Sequence, residues 1–105
     1  MSDVLARLAA TIAARAGGDP AASHTAALLA RGPGKCAEKF GEEAVEAIVA
    51  AAERDTAGLT AEAADVLYHL MVLLQAAGVP WPDVLAELER REGVSGIAEK
   101  AARPR

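Results

Sequence analysis

Apolar residues recur along the chain at spacings of three and four, interrupted by Gly and Pro, and no stretch alternates strictly. That periodicity belongs to amphipathic helices rather than to strands. Val4, Leu5, Leu8, Ala9 and Ile12 form one stripe behind Ser2 or Asp3, either of which can cap a first helix. The run Gly17–Pro20 ends it, and Ser23 caps a short segment that reaches Arg31. Gly32–Lys35 reads as a breaker, followed by a long helix from Lys35 to Arg54. Asp55–Thr60 reads as a connection, with Thr60 capping a helix that runs to Ala77. Gly78–Pro82 breaks the pattern again, and Pro82 suits the first turn of a helix ending near Arg91. The segment 95–105 reads as an irregular basic tail. The pattern therefore predicts an all-α fold, a bundle of four to five helices in one domain spanning 1–105.

Composition changes this picture in one respect. Of 105 residues, 52% are hydrophobic but only 3% aromatic, so the core is built from Ala, Leu, Val and Ile and buries modest area per residue. The helix ending at Ala77 is apolar on nearly every face, more than thin neighbours can cover. A homodimer that completes the bundle is expected. The net charge of −4 argues against nucleic acid as a general partner. The single cysteine, Cys36, allows no internal disulfide and reads as a small, partly buried residue. The first residues lack a signal-peptide pattern, and no continuous apolar run reaches the roughly 18–20 residues of a membrane span. A cytoplasmic location without a membrane partner is expected.

The charged positions carry the chemistry. On the Lys35–Arg54 helix, taking Lys39 as zero, Glu42, Glu43 and Glu46 fall at about −60°, +40° and −20°, and Lys35 shares their arc. Phe40, Ala44, Ala47, Ile48 and Ala51 lie on the other side. A solvated face with Lys–Glu pairs is one reading. On the next helix, Glu62, Asp65 and His69 share a stripe on an otherwise apolar surface. A lone carboxylate there would lose hydration or hold its proton, so Asp65 needs a partner. A short connection makes the two helices an antiparallel pair. It brings Glu42, Glu43 and Glu46 towards Glu62 and Asp65. Oxygen-only ligands with few cations among them suit Mg²⁺, or Mn²⁺ as a substitute. His69 is either a core histidine or a group that orients a carboxylate or touches substrate.

Four stretches, "SHTAALLARG", "KCAEKFGEEAVEAIVAA", "EAADVLYHLMVLL" and "LERREGVSGIAEKAAR", cover most of the chain, and in this order it resembles the phosphoribosyl-ATP pyrophosphohydrolases of histidine biosynthesis, within the all-α nucleoside triphosphate pyrophosphohydrolases. The acidic motif alone marks the superfamily; K-x-G-E-E, D-x-L-Y-H and S-G-x-x-E-K in this order are much more specific for the histidine enzyme. That family usually carries Tyr at His24 and Ser at Ala102. The resemblance implies a dimeric, Mg²⁺-dependent enzyme that cleaves phosphoribosyl-ATP between the α and β phosphates, in its stand-alone form rather than fused to a cyclohydrolase. It implies Glu43, Glu46, Glu62 and Asp65 as metal ligands, and catalytic work for Glu42, Glu43 and Glu46, with Glu42 holding a further metal or the attacking water. So anionic a substrate also needs cations: Lys35, Lys39, Lys100 and Arg103 are candidates, beside His24 and His69.

Two other readings stay open. One is a house-cleaning hydrolase of ordinary or damaged nucleotides; the other is a non-catalytic helical dimerisation module. Gly32–Lys35 lacks the spacing of a phosphate-binding P-loop, and Ser2, Ser23 and Ser95 have no base signature nearby, so nucleophilic catalysis is not indicated.

Overall fold

The computed structural model of the chain describes residues 3–93, 96, 100, 101 and 103. Helices α1 (Val4–Arg15), α2 (His24–Ala30), α3 (Pro33–Ala52), α4 (Thr56–Ala77) and α5 (Trp81–Arg91) follow one another, and no strand occurs among the described residues. The all-α expectation holds.

Two boundaries differ from those expected, each for a local reason. Gly32–Lys35 does not break the helix; it starts α3. Gly32, with φ of 88°, is the N-cap, and Pro33 sits in the first turn, where its missing N–H costs nothing. Helix α4 begins at Thr56 rather than after Thr60, because the Asp55 carboxylate accepts from Gly58 N at 2.9 Å and caps it earlier. The Thr60 hydroxyl instead donates back to the Thr56 carbonyl at 2.8 Å, inside the helix. The connection shrinks to Glu53–Asp55, and Arg54 takes the left-handed conformation (φ 59°) that reverses the chain. Ser23 caps α2 as expected, accepting from Ala26 N at 3.1 Å. Asp3 precedes α1 without a side-chain cap bond, and Ser2 lies outside the described residues. Gly96, Lys100 and Ala101 have helical backbone where an irregular tail is expected; the rest of that segment, apart from Arg103, lies outside the described residues.

Helices α3 and α4 make the dominant contact, an antiparallel hairpin. The core sits at one end of it. Ile12, Leu28, Cys36, Met71 and Val72 are buried together, with Leu5, Leu8, Leu29, Tyr68 and Trp81 packed around them. Cys36 is more deeply buried than expected; its thiol donates to the Leu28 carbonyl at 3.4 Å, and burial raises its pKa. The short helices α1, α2 and α5 cover only this end. Helix α4 is therefore not buried all round in the single chain: only His69, Met71 and Val72 are. Val45, Ile48, Val49 and Leu67 stand 57%, 66%, 48% and 40% exposed along the hairpin. By length and composition, α4 is apolar enough to cross a bilayer, although the sequence shows no unbroken apolar run. Glu62 and Asp65 interrupt it, and it packs along α3.

Candidate active site

The hairpin brings acids of two helices together. Glu43 on α3 and Glu62 and Asp65 on α4 each offer a carboxylate oxygen, all within 4.8 Å of one another. Glu43 Oε2 and Glu62 Oε2 are buried with no hydrogen-bond donor. Buried acceptors left without donors are costly, and neighbouring carboxylates repel. The pKa of Glu62 is accordingly pushed up to about 7, first by burial, then by the closeness of the Glu43 carboxylate and by the charge and closeness of Glu46. A shared proton is one way to satisfy the two orphaned oxygens. A hard divalent cation is another, and these oxygen-only donors fit Mg²⁺ or Mn²⁺.

Glu46 stands beside this trio. It raises the pKa of Glu62 through its charge and its hydrogen-bonding closeness and, with Glu62, Glu53 and Asp55, lines an open cavity of about 250 Å³. Glu42 does not join the acids, contrary to the expectation that all three α3 glutamates would converge. It pairs with Lys39 at 3.4 Å on the exposed flank. The reason is rotational: Glu42 and Glu43 are about 100° apart, and only one of them can point at α4. Lys35 likewise pairs with Glu38 at 3.3 Å. Both exposed pairs are weak and readily exchanged.

His69 lies on the Glu62–Asp65 stripe, one turn beyond Asp65; it is buried, and its Nδ1 has no partner. His24, the first residue of α2, sits with its ring 6.5 Å from that of Tyr68 and 18° from parallel to it. The Tyr68 and Thr25 hydroxyls are hydrogen-bonded to each other. Lys100 and Arg103 are exposed, with a backbone hydrogen bond of 3.3 Å between them. Sequence reasoning gave Tyr68 and Thr25 no role. The available signal was a phenol on an aliphatic helix, which must find a partner for its hydroxyl when it packs inward.

A cavity of about 320 Å³ between α1, the end of α4 and Trp81 has no titratable lining residue and stands apart from this chemistry.

Comparison with known proteins places the chain. Residues 5–92 match the family described as phosphoribosyl-ATP pyrophosphohydrolase. The phosphoribosyl-ATP pyrophosphatase of Dinoroseobacter shibae is 71% identical over 100 residues, 95% of this chain and 98% of that protein. The Cereibacter sphaeroides protein of the same name is 69% identical, covering 95% and 97%. That of Rhizorhabdus wittichii is 61% identical across 100% of this chain and 99% of its own length.

Proposed function

The chain belongs to the phosphoribosyl-ATP pyrophosphohydrolase family, and on that premise we propose that it hydrolyses phosphoribosyl-ATP to phosphoribosyl-AMP and pyrophosphate in histidine biosynthesis, with Mg²⁺ at the acid cluster. It is a hydrolase. The observation that carries the metal reading is the convergence of Glu43, Glu62 and Asp65 with two buried oxygens that lack donors. Those three residues would hold the ion, with Glu46 at its edge. When bound, Mg²⁺ supplies phosphoryl polarisation and an acidified water.

The chain's own residues do the rest. Glu62 stores a proton near neutral pH and gives it up when a cation arrives. Lys35 and Lys39, on the N-terminal half of the same helix as Glu43, exchange their weak glutamate partners for substrate phosphates. Glu42 returns Lys39 to its resting position rather than binding metal. Glu46, outside the tight trio, is the acid best placed to orient the attacking water. His69, buried one turn beyond Asp65, orients the α4 acids, while exposed His24 contacts the rest of the substrate; Lys100 and Arg103 add charge for the phosphates.

The exposed row Val45, Ile48 and Val49, together with Leu67, supports a homodimer that buries this face. A cytosolic location fits the unpaired thiol of Cys36. The test is pyrophosphate release from phosphoribosyl-ATP with and without Mg²⁺, alongside dATP and dUTP. Turnover of phosphoribosyl-ATP only with Mg²⁺ is expected. Faster turnover of dATP or dUTP points to nucleotide house-cleaning, and turnover in excess chelator removes the metal.

A further inference from the structure

Tyr68 is the only tyrosine in the chain, and it does more than fill the core. It lies three residues beyond Asp65 on α4, a rise of about 4.5 Å along the helix. Its ring packs against the buried core cluster on one side and faces the ring of His24. Its hydroxyl reaches Thr25 Oγ1 across 43 residues of sequence. Helix α2, which carries His24 and Thr25, is only seven residues long. A helix of that length does not hold its place without tertiary contacts. Ser23 fixes its backbone start, and Ala26 and Leu28 anchor its buried face. None of these contacts fixes how the exposed His24 ring is presented. The bond at the adjacent Thr25 does, since it ties α2 to the same turn of α4 from which Asp65 projects.

We infer that the Thr25–Tyr68 hydroxyl pair is a positioning device: it sets the His24 ring at a fixed distance from the Glu43–Glu62–Asp65 cluster, so that a nucleotide whose phosphates lie at the acids meets His24 with its aromatic base. The nearly parallel His24 and Tyr68 rings fit this, because His24 is exposed while Tyr68 supports it from the core side. The pair acts through His24 and touches no reacting atom. The inference rests on the substrate reading above and adds to it which contact fixes base recognition.

The test is steady-state kinetics on phosphoribosyl-ATP with Tyr68→Phe, Thr25→Val, the double variant and Thr25→Ser, together with Mn²⁺ titration of each substrate-free protein. Removing either hydroxyl should raise KM about three- to tenfold, the range of one neutral hydrogen bond, with kcat within about twofold of wild type. Mn²⁺ affinity should not change. The double variant should be no worse than either single one, because both remove the same bond. Thr25→Ser keeps a hydroxyl and should retain the wild-type KM. An unchanged KM in both Tyr68→Phe and Thr25→Val overturns the inference. So does a parallel fall in kcat and melting temperature with KM unmoved, which marks a purely structural staple. If wild-type protein fails to release pyrophosphate from phosphoribosyl-ATP, the substrate reading fails first and takes this inference with it. Wild-type turnover with an unchanged KM in the hydroxyl variants removes only the positioning role.

Discussion

Binding of Mg²⁺ or Mn²⁺ to the protein should release a proton, and the amount should follow the titration of one residue. Glu62 has its pKa pushed up to about 7 by burial, by the closeness of the Glu43 carboxylate and by the charge and closeness of Glu46. With that value the acid cluster carries a proton at pH 6 and has largely lost it by pH 8. A cation among the three acids requires the carboxylate form, so binding should expel close to one proton at pH 6 and little at pH 8. Isothermal calorimetry measures this directly: the slope of binding heat against buffer ionisation enthalpy is negative for release, and its magnitude is the number of protons released. The same residue makes the metal-free fold pH-dependent. Its folded pKa lies above its ordinary value of 4.5, so the folded state binds more protons between pH 4.5 and about 7. Metal-free stability should therefore fall as pH rises through that window and stay low above it, while saturating Mn²⁺ should flatten the profile. Glu62→Gln should abolish the proton release and raise the metal-free melting temperature at pH 8. Binding without proton release at pH 6, or an unchanged release in Glu62→Gln, would refute the assignment of the proton to this site.

Other outcomes rest on the same geometry. Glu43→Gln and Asp65→Ala should each abolish Mg²⁺-dependent pyrophosphate release while circular dichroism stays helical, since both belong to the trio within 4.8 Å. Glu42→Gln should leave Mn²⁺ affinity near wild type and act on substrate affinity instead, because its carboxylate pairs with Lys39; a lost metal site in this variant returns Glu42 to the cluster. Ile48→Glu, at a 66% exposed position, should yield a monomer by sedimentation if that face is the dimer interface. Ile12→Ala, at a residue 2% exposed, should destabilise the fold by about 3 kcal/mol in denaturant titration.

Much of the architecture is legible in the order of residues. Four- and three-residue apolar spacing marks each helix, and Ser23 does cap α2. The misplaced starts of α3 and α4 share a cause. Pro33 and Asp55 are residues that end one element or begin the next depending on their downstream neighbours, and the start of α4 turns on a competition between two possible caps, Asp55 and Thr60. At the site, spacing identifies the acids but not the direction in which each points. A stripe about 100° wide contains both Glu42 and Glu43, and only the roll of α3 against α4 selects Glu43. The Thr25–Tyr68 bond joins residues 43 apart, and no local periodicity encodes such a contact.

The position of the acids within the fold explains how the chain tolerates them. The buried core lies where α1, α2 and α5 cover the hairpin, around Ile12, Met71 and Val72. Glu43, Glu62 and Asp65 occupy the barer stretch nearer the α3–α4 turn. Repulsion there does not work against core packing; it works against the hairpin, which the Asp55 cap and the Arg54 reversal hold from beyond the acids. Local strain at a site, held by a stable frame, is the usual division in an enzyme. A bound cation relieves that strain and so stabilises the folded chain by mass action. The exposed row at Val45, Ile48 and Val49 adjoins the same stretch, with Val45 and Val49 lining the cavity that Glu46 and Glu62 share. A second subunit on this face would bury the wall of that cavity and deepen the burial that already raises the pKa of Glu62. Dimer formation and cation affinity should then be coupled. In sedimentation the dimer should persist to lower protein concentration with Mn²⁺ than with chelator, and a dimer insensitive to the ion would separate the two.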